Sequence, residues 1–88
     1  MKIIVICTGN TCRSQIAEGL LKSKYPEAEI YSAGTHPEIQ VNPYAVQAMA
    51  EVGYDISKQY PKLVTDFIHE EFEAGMILLG TEVKSLRA

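Results

Sequence analysis

Eighty-eight residues with a formal net charge of −3 suffice for one small domain with a modest core. The negative balance argues against a general nucleic-acid or acidic-membrane binder, and no apolar run approaches membrane-spanning length. With 47% hydrophobic and 22% charged residues the chain reads as an ordinary globular protein, so positive potential for an anion must be local. The start carries no secretion-signal pattern, and the expected compartment is the cytoplasm, where thiols stay reduced.

The first element is Lys2-Ile3-Ile4-Val5-Ile6, an apolar, β-branched run that predicts a buried strand. The next is the loop Cys7-Thr8-Gly9-Asn10-Thr11-Cys12-Arg13-Ser14, followed by a predicted helix over 13–24 that stops before Pro26. A tight loop from strand end to helix start points successive N–H groups into one concavity, and the helix dipole adds positive potential there. Such a loop suits a tetrahedral oxyanion, with Thr8, Gly9, Asn10, Thr11, Cys12 and Arg13 as its binding residues. Cys7 is placed as a thiolate nucleophile, whose negative charge the N–H groups and the arginine are expected to stabilise. Arg13 presents a planar fork for two oxygens, and the Ser14 hydroxyl falls within reach of the Cys7 sulfur. Gly9 and Asn10 tolerate the left-handed angles that the loop requires.

Both cysteines, Cys7 and Cys12, lie in this loop, which makes a structural disulfide framework improbable and a reversible redox pair the better reading. Cys-x4-Cys supplies two ligands where zinc takes four, and His36 and His69 read as surface histidines, so neither metal nor cofactor is expected. In the first helix Ile16, Ala17, Leu20 and Leu21 fall at i, i+4 spacing and are expected to face the sheet. Glu18 reads as a solvated carboxylate.

Glu29 to Ala33 predicts a second strand, ended by Gly34, and 35–40 a loop. Asn42 caps a second helix with Pro43 at its first position, Val41 and Val46 form a staple across the cap, and Gly53 stops it. Ala45, Val46, Met49 and Ala50 make its buried stripe, and Tyr44 is expected to be half-buried. A third helix is expected over 62–73, with Leu63, Val64, Phe67, Ile68 and Phe72 inward and Glu70-Glu71 solvated. Gly75 to Gly80 predicts a third strand, and 81–88 the opening of another helix. The order βαβααβ with helical crossovers implies an α/β fold with parallel strands.

Cys-x5-Arg-Ser after the first strand resembles the phosphate loop of low-molecular-weight protein tyrosine phosphatases and of the thioredoxin-coupled arsenate reductases that share their fold. The string CTGNTCRSQIAEG resembles the reductase branch. The likeness continues through Ser32-Ala33-Gly34-Thr35 and Val41-Asn42-Pro43 to the stretch Glu51 to Ser57. It implies a three-layer fold with strand order 2-1-3, Cys7 at the carboxyl end of the middle strand, and catalytic roles for Cys7, Arg13 and Ser14. It implies an arsenate or phosphate substrate and, as partner, thioredoxin or another thiol reductant. It also implies that Asn10, Glu18 and Ser32 belong to a cation site whose remaining carboxylate is replaced here by Lys62, an ammonium able to stand in for the ion.

Three competing functions follow: an arsenate reductase-like enzyme, a low-molecular-weight phosphatase, and a catalytically incomplete oxyanion-binding domain. Residues 1–88 are read as a single, incomplete domain, lacking the family's fourth strand and closing helix. No Asp-Pro pair and no cysteine beyond Cys12 occurs in the 88 residues, so little turnover is expected. The third strand, left as a sheet edge, is expected to drive self-association.

Overall fold

The computed structural model describes residues 1–67 and 69–77. Strand β1 (Lys2–Cys7) leads through the loop into helix α1 (Arg13–Lys24), which returns to β2 (Glu29–Gly34). Helix α2 (Pro43–Glu51), a 3₁₀ turn (Val64–Phe67) and β3 (Ala74–Ile77) follow. The three strands form one parallel sheet in the order β2-β1-β3. β1 is central, paired with β2 from Lys2 opposite Glu29 to Cys7 opposite Gly34, and with β3 from Ile3 opposite Ala74 to Ile6 opposite Ile77. This is the order implied above, and it sets Cys7 at the carboxyl end of the middle strand.

The period-two alternation of a strand divides the sheet's two faces. Cys7 and Ser32 face α1, where they meet Ser14 and Glu18. Tyr31 faces the other way and meets Phe67 tilted and Phe72 edge-on, at centroid distances of 5.4 and 5.8 Å. Ile4 and Ile6 line a cavity of about 280 Å³ with Val64, Thr65, Phe67 and Phe72.

The main apolar cluster lies between the helices. Val41, Ala45, Met49 and Ile56 are its buried members, with Cys12, Ile16, Val46 and Tyr54 packed against it. Asn42 caps α2 as expected, its Oδ1 accepting from Tyr44 N at 2.8 Å, and Gly53 ends the segment at φ +92°. Ala50 is exposed, so the stripe of α2 is narrower than its sequence spacing suggests. A Cβ on Gly19 would come within 2.6 Å of Ile56 Cγ2, which explains a glycine inside a helix where alanine is intrinsically better.

Three expectations are corrected. The buried residues of α1 are Ser14, Gln15 and Glu18, not the apolar set. Ile16 turns to the α2 cluster instead of the sheet, and Leu20 is 42% exposed. The physical reason is the loop: its polar groups need partners, and α1 supplies them from the side that faces it.

The helix expected over 62–73 is a single 3₁₀ turn, with Leu63 37% exposed. Residues 62 and 63 are drawn out as backbone partners of Gly34: Gly34 N donates to Lys62 O at 2.7 Å, and Leu63 bridges to Gly34. A second clasp, Glu73 N to Lys2 O at 2.8 Å, already prepares β3. A helix over the same residues would have to give up both. Ile68 and residues 78–88, with the end of the third strand and the further helix expected there, lie outside the described residues.

The third correction is Tyr44, which is 80% exposed at the start of α2. Among the described residues no helix is long and apolar enough to cross a membrane.

Candidate active site

The loop between β1 and α1 is held from outside by its carbonyls. Cys7 O accepts from Thr35 N (3.1 Å), Thr8 O from His36 N (2.9 Å), Gly9 O from Glu38 N (3.1 Å) and Thr11 O from Asn42 N (2.8 Å). Asn10 O accepts from Gln15 Nε2 at 2.9 Å, and Cys12 O from Ile16 N at 2.9 Å. Six consecutive carbonyls are thus engaged. The N–H groups of Gly9, Thr11 and Cys12 donate to no protein acceptor among the described residues. A chain whose carbonyls are taken by its surroundings and whose amides are left unpaired has the form of a cradle that could receive an anion. Helix α1 has no side-chain cap at Cys12, so its N-terminal amides also stay open.

Asn10 is the keystone. It is the one non-glycine residue with positive φ (+54°) among the described residues, and it is fully buried. Its Nδ2 donates to Ser14 Oγ (2.8 Å) and Ser32 Oγ (3.0 Å), and its Oδ1 accepts from Lys62 N (2.8 Å). One amide therefore ties the loop to α1, β2 and the segment before the 3₁₀ turn.

Two groups address the Cys7 sulfur. Asn10 N donates to it at 3.1 Å, and Ser14 Oγ lies 2.9 Å away. Ser14 Oγ already accepts from Asn10 Nδ2, which leaves its proton free to point at the sulfur. Arg13 opens α1 and forms no ion pair with a carboxylate among the described residues, so its fork is uncommitted. Cys7 and Cys12 are both free, Cys7 buried and Cys12 packed against the α2 cluster.

Behind the loop lies a charged network. Glu18 is only 3% exposed, which corrects the reading of it as a solvated carboxylate. Ser32 Oγ donates to its Oε1 at 2.5 Å, Lys22 Nζ lies 2.6 Å from Oε2, and Lys62 Nζ lies 3.5 Å from Oε1. The Lys62 ammonium thus stands beside Glu18 and donates to Tyr60 O at 2.6 Å. Burial pushes the Lys62 pKa below its ordinary value, and the neighbouring Glu18 carboxylate opposes that shift. No group of three or more His, Cys, Asp or Glu side chains among the described residues is placed to hold a metal ion.

Every predicted loop residue, 7 through 14, falls in this one constellation. Sequence reasoning missed Gln15, fully buried, which holds Asn10 O and Tyr60 O and accepts from Gln59 Nε2. The available signal was a run of three non-apolar residues, Arg13-Ser14-Gln15, directly before Ile16-Ala17 in the first turn of the helix. It also missed how residues 35–42 lace onto the loop, for which the sequence carries no side-chain signal, because the bonds are made by backbone amides.

A central parallel strand that runs into a cysteine–arginine cradle and then a helix defines a phosphatase-type α/β protein. The model of the family "Low molecular weight phosphotyrosine protein phosphatase" matches residues 2–88, and the chain belongs to that family. Among curated relatives, an arsenate reductase of Halalkalibacterium halodurans is 44% identical over 80 residues, 89% of this chain and 56% of the relative. An arsenate reductase of Staphylococcus aureus is 51% identical over 69 residues, 75% of this chain and 50% of the relative. The chain thus spans about half the length of the curated relatives it matches. Among solved structures, an arsenate reductase in the phosphate-binding state superposes with a TM-score of 0.82 at 34% identity, covering 90% of this chain and 60% of that one. A low molecular weight protein tyrosine phosphatase from T. tengcongensis gives 0.80 at 29%, covering 99% and 64%.

Proposed function

We propose that residues 7–13 bind a tetrahedral oxyanion and that Cys7 attacks it as a thiolate, in the manner of an arsenate reductase. The observation that carries this reading is the cradle itself: engaged carbonyls outside, unpaired amides inside, an uncommitted Arg13 beside them and two donors aimed at the Cys7 sulfur. The similarity to arsenate reductases supports arsenate over other oxyanions.

In the proposed reaction the Cys7 sulfur bonds to arsenic and one arsenate oxygen leaves as water. A second thiol then attacks the Cys7 sulfur, a disulfide forms, the sulfur–arsenic bond breaks and arsenite departs. Arsenic gains two electrons and two thiols lose one each. Amides and Arg13 hold the oxygens throughout, and Ser14 and Asn10 hold the sulfur in line. Within these 88 residues the second thiol is Cys12 or one supplied from outside, by thioredoxin or another thiol reductant.

The second reading is a phosphatase, in which a phosphocysteine forms and is hydrolysed; the family match favours it. Incubation with arsenate plus thioredoxin, beside incubation with an aryl phosphate, separates the two. The proposal expects arsenate-dependent thiol oxidation that requires Cys7. A phosphocysteine on Cys7, with arsenate inert as oxidant, would establish the second reading instead.

A further inference from the structure

One carbonyl of the loop is held differently from the rest. The others accept from backbone amides, whereas Asn10 O accepts from a side chain, Gln15 Nε2, at 2.9 Å. Gln15 is fully buried, and the same Nε2 donates to Tyr60 O at 3.0 Å. Gln59 Nε2 donates in turn to Gln15 O at 2.9 Å and to Gln15 Oε1 at 2.8 Å. Main-chain carbonyls can only accept, and they force the orientation of both side-chain amides. Gln15 O requires the nitrogen of Gln59, so the Gln15 side chain turns its oxygen to that nitrogen and its two N–H groups to Asn10 O and Tyr60 O. The segment 59–62 thereby grips Asn10 at both ends. Tyr60 O reaches its main-chain oxygen through Gln15, and Lys62 N takes its Oδ1 at 2.8 Å.

The Asn10–Thr11 peptide is trans and planar, so its C=O and N–H point in opposite directions. A donor that holds Asn10 O outward therefore turns the Thr11 N–H inward, toward the space an oxyanion would occupy. Without that donor the buried carbonyl is left unpaired. Rotation of the peptide relieves it, but takes an amide donor out of the cradle and brings in a carbonyl oxygen that repels an anion. We propose that Gln15 is a positioning residue for oxyanion binding, aiming the Thr11 N–H, and that residues 59–60 fix its aim from outside the loop. The proposal rests on the reading of residues 7–13 as an oxyanion loop. Gln15 acts on the reaction through one peptide plane: it readies a donor for an oxyanion oxygen before the anion arrives.

The test is a sulfate titration followed by the backbone amide NMR shifts of Gly9, Thr11 and Cys12, in the native chain, Gln15→Met and Gln59→Met. Sulfate keeps one charge state near neutrality and does not oxidise Cys7. Methionine keeps the length of glutamine and removes its amide. Gln59 makes no hydrogen bond to residues 7–13 among the described residues, so an effect of Gln59→Met on the loop passes through Gln15. In the native chain all three amides are expected to shift with one midpoint. In Gln15→Met the Thr11 shift should fall by about half or more while Gly9 keeps its own, and the midpoint should rise about tenfold, as loss of one donor to a charged oxygen gives. Gln59→Met should act in the same direction and more weakly. A native Thr11 response and midpoint in both variants would overturn the assignment and leave the loop standing. Equal loss at all three amides, the mark of a merely structural role, would do the same. A native response in Gln59→Met alone would overturn the part given to residues 59–60, and Gln59→Met decides by itself if Gln15→Met does not fold. No shift at any of the three amides in the native chain would overturn the loop and Gln15 together.

Discussion

Asn10 shows how much one residue type decides. Its positive φ lets the loop turn, and its amide spends both ends on partners from three elements. Asn10→Gly keeps the backbone angle and removes the bonds. We predict a loss of about 2–4 kcal/mol in denaturant unfolding, since the Lys62 amide and two hydroxyls lose buried partners. Arg13→Ala should abolish oxyanion protection of Cys7, and Arg13→Lys should not restore it, because a point charge replaces a two-oxygen fork. Mild peroxide is expected to yield a Cys7–Cys12 disulfide that blocks phosphate binding and reverses with dithiothreitol. Mass spectrometry that found sulfinic Cys7 without the bridge would contradict it. These loop residues were legible because each needs a residue type: a positive-φ former, a thiol, a guanidinium. Gln15 was not, since a buried polar residue on a helix looks like any solvated one until its partners are known; residue chemistry alone misread Glu18 in the same way, and only the resemblance grouped it with Asn10 and Ser32.

Among the elements, β1, α1, β2 and α2 were legible from hydrophobic period and punctuation. Pro26, the Asn42-Pro43 start and Gly53 act through local backbone chemistry that needs no tertiary context. The segment over 62–73 was misread for the opposite reason. Its apolar spacing permits a helix, and the Gly34 clasp, a long-range backbone pairing, overrides it. Gly34 also touches the loop: a Cβ there would lie 2.5 Å from Thr8 O and 3.0 Å from Asn10 Cβ. Gly34→Ala is therefore expected to shift the loop backbone, costing about 1–3 kcal/mol and weakening oxyanion protection of Cys7. A variant that unfolds at the same denaturant midpoint and binds phosphate as before would refute that coupling. Asp55 gives a smaller case: its carboxyl is held below the usual carboxylate range by hydrogen bonds from the Ser57 hydroxyl and amide. A lowered folded-state pKa contributes stability above the unfolded value that is lost as pH falls through the folded one. Ser57→Ala should accordingly weaken the protein near neutrality and flatten its acid limb, as read by unfolding between pH 2 and 6.

At the scale of the whole molecule the site sits where an open parallel sheet presents its strand ends, at the tip of the central strand. The chain's net charge of −3 makes the cradle a local exception, built from amides and Arg13 instead of a basic surface. On its outer side β3 pairs with no further strand among the described residues, and Ile77 is 65% exposed there. The proposed chemistry requires that Cys7 lie inside a loop that binds an oxyanion. The most direct measurement is the rate of Cys7 alkylation by iodoacetamide with and without saturating phosphate or arsenate. Strong slowing is expected in the native chain and none in Arg13→Ala; equal rates with and without the oxyanion in the native chain would overturn the proposed site.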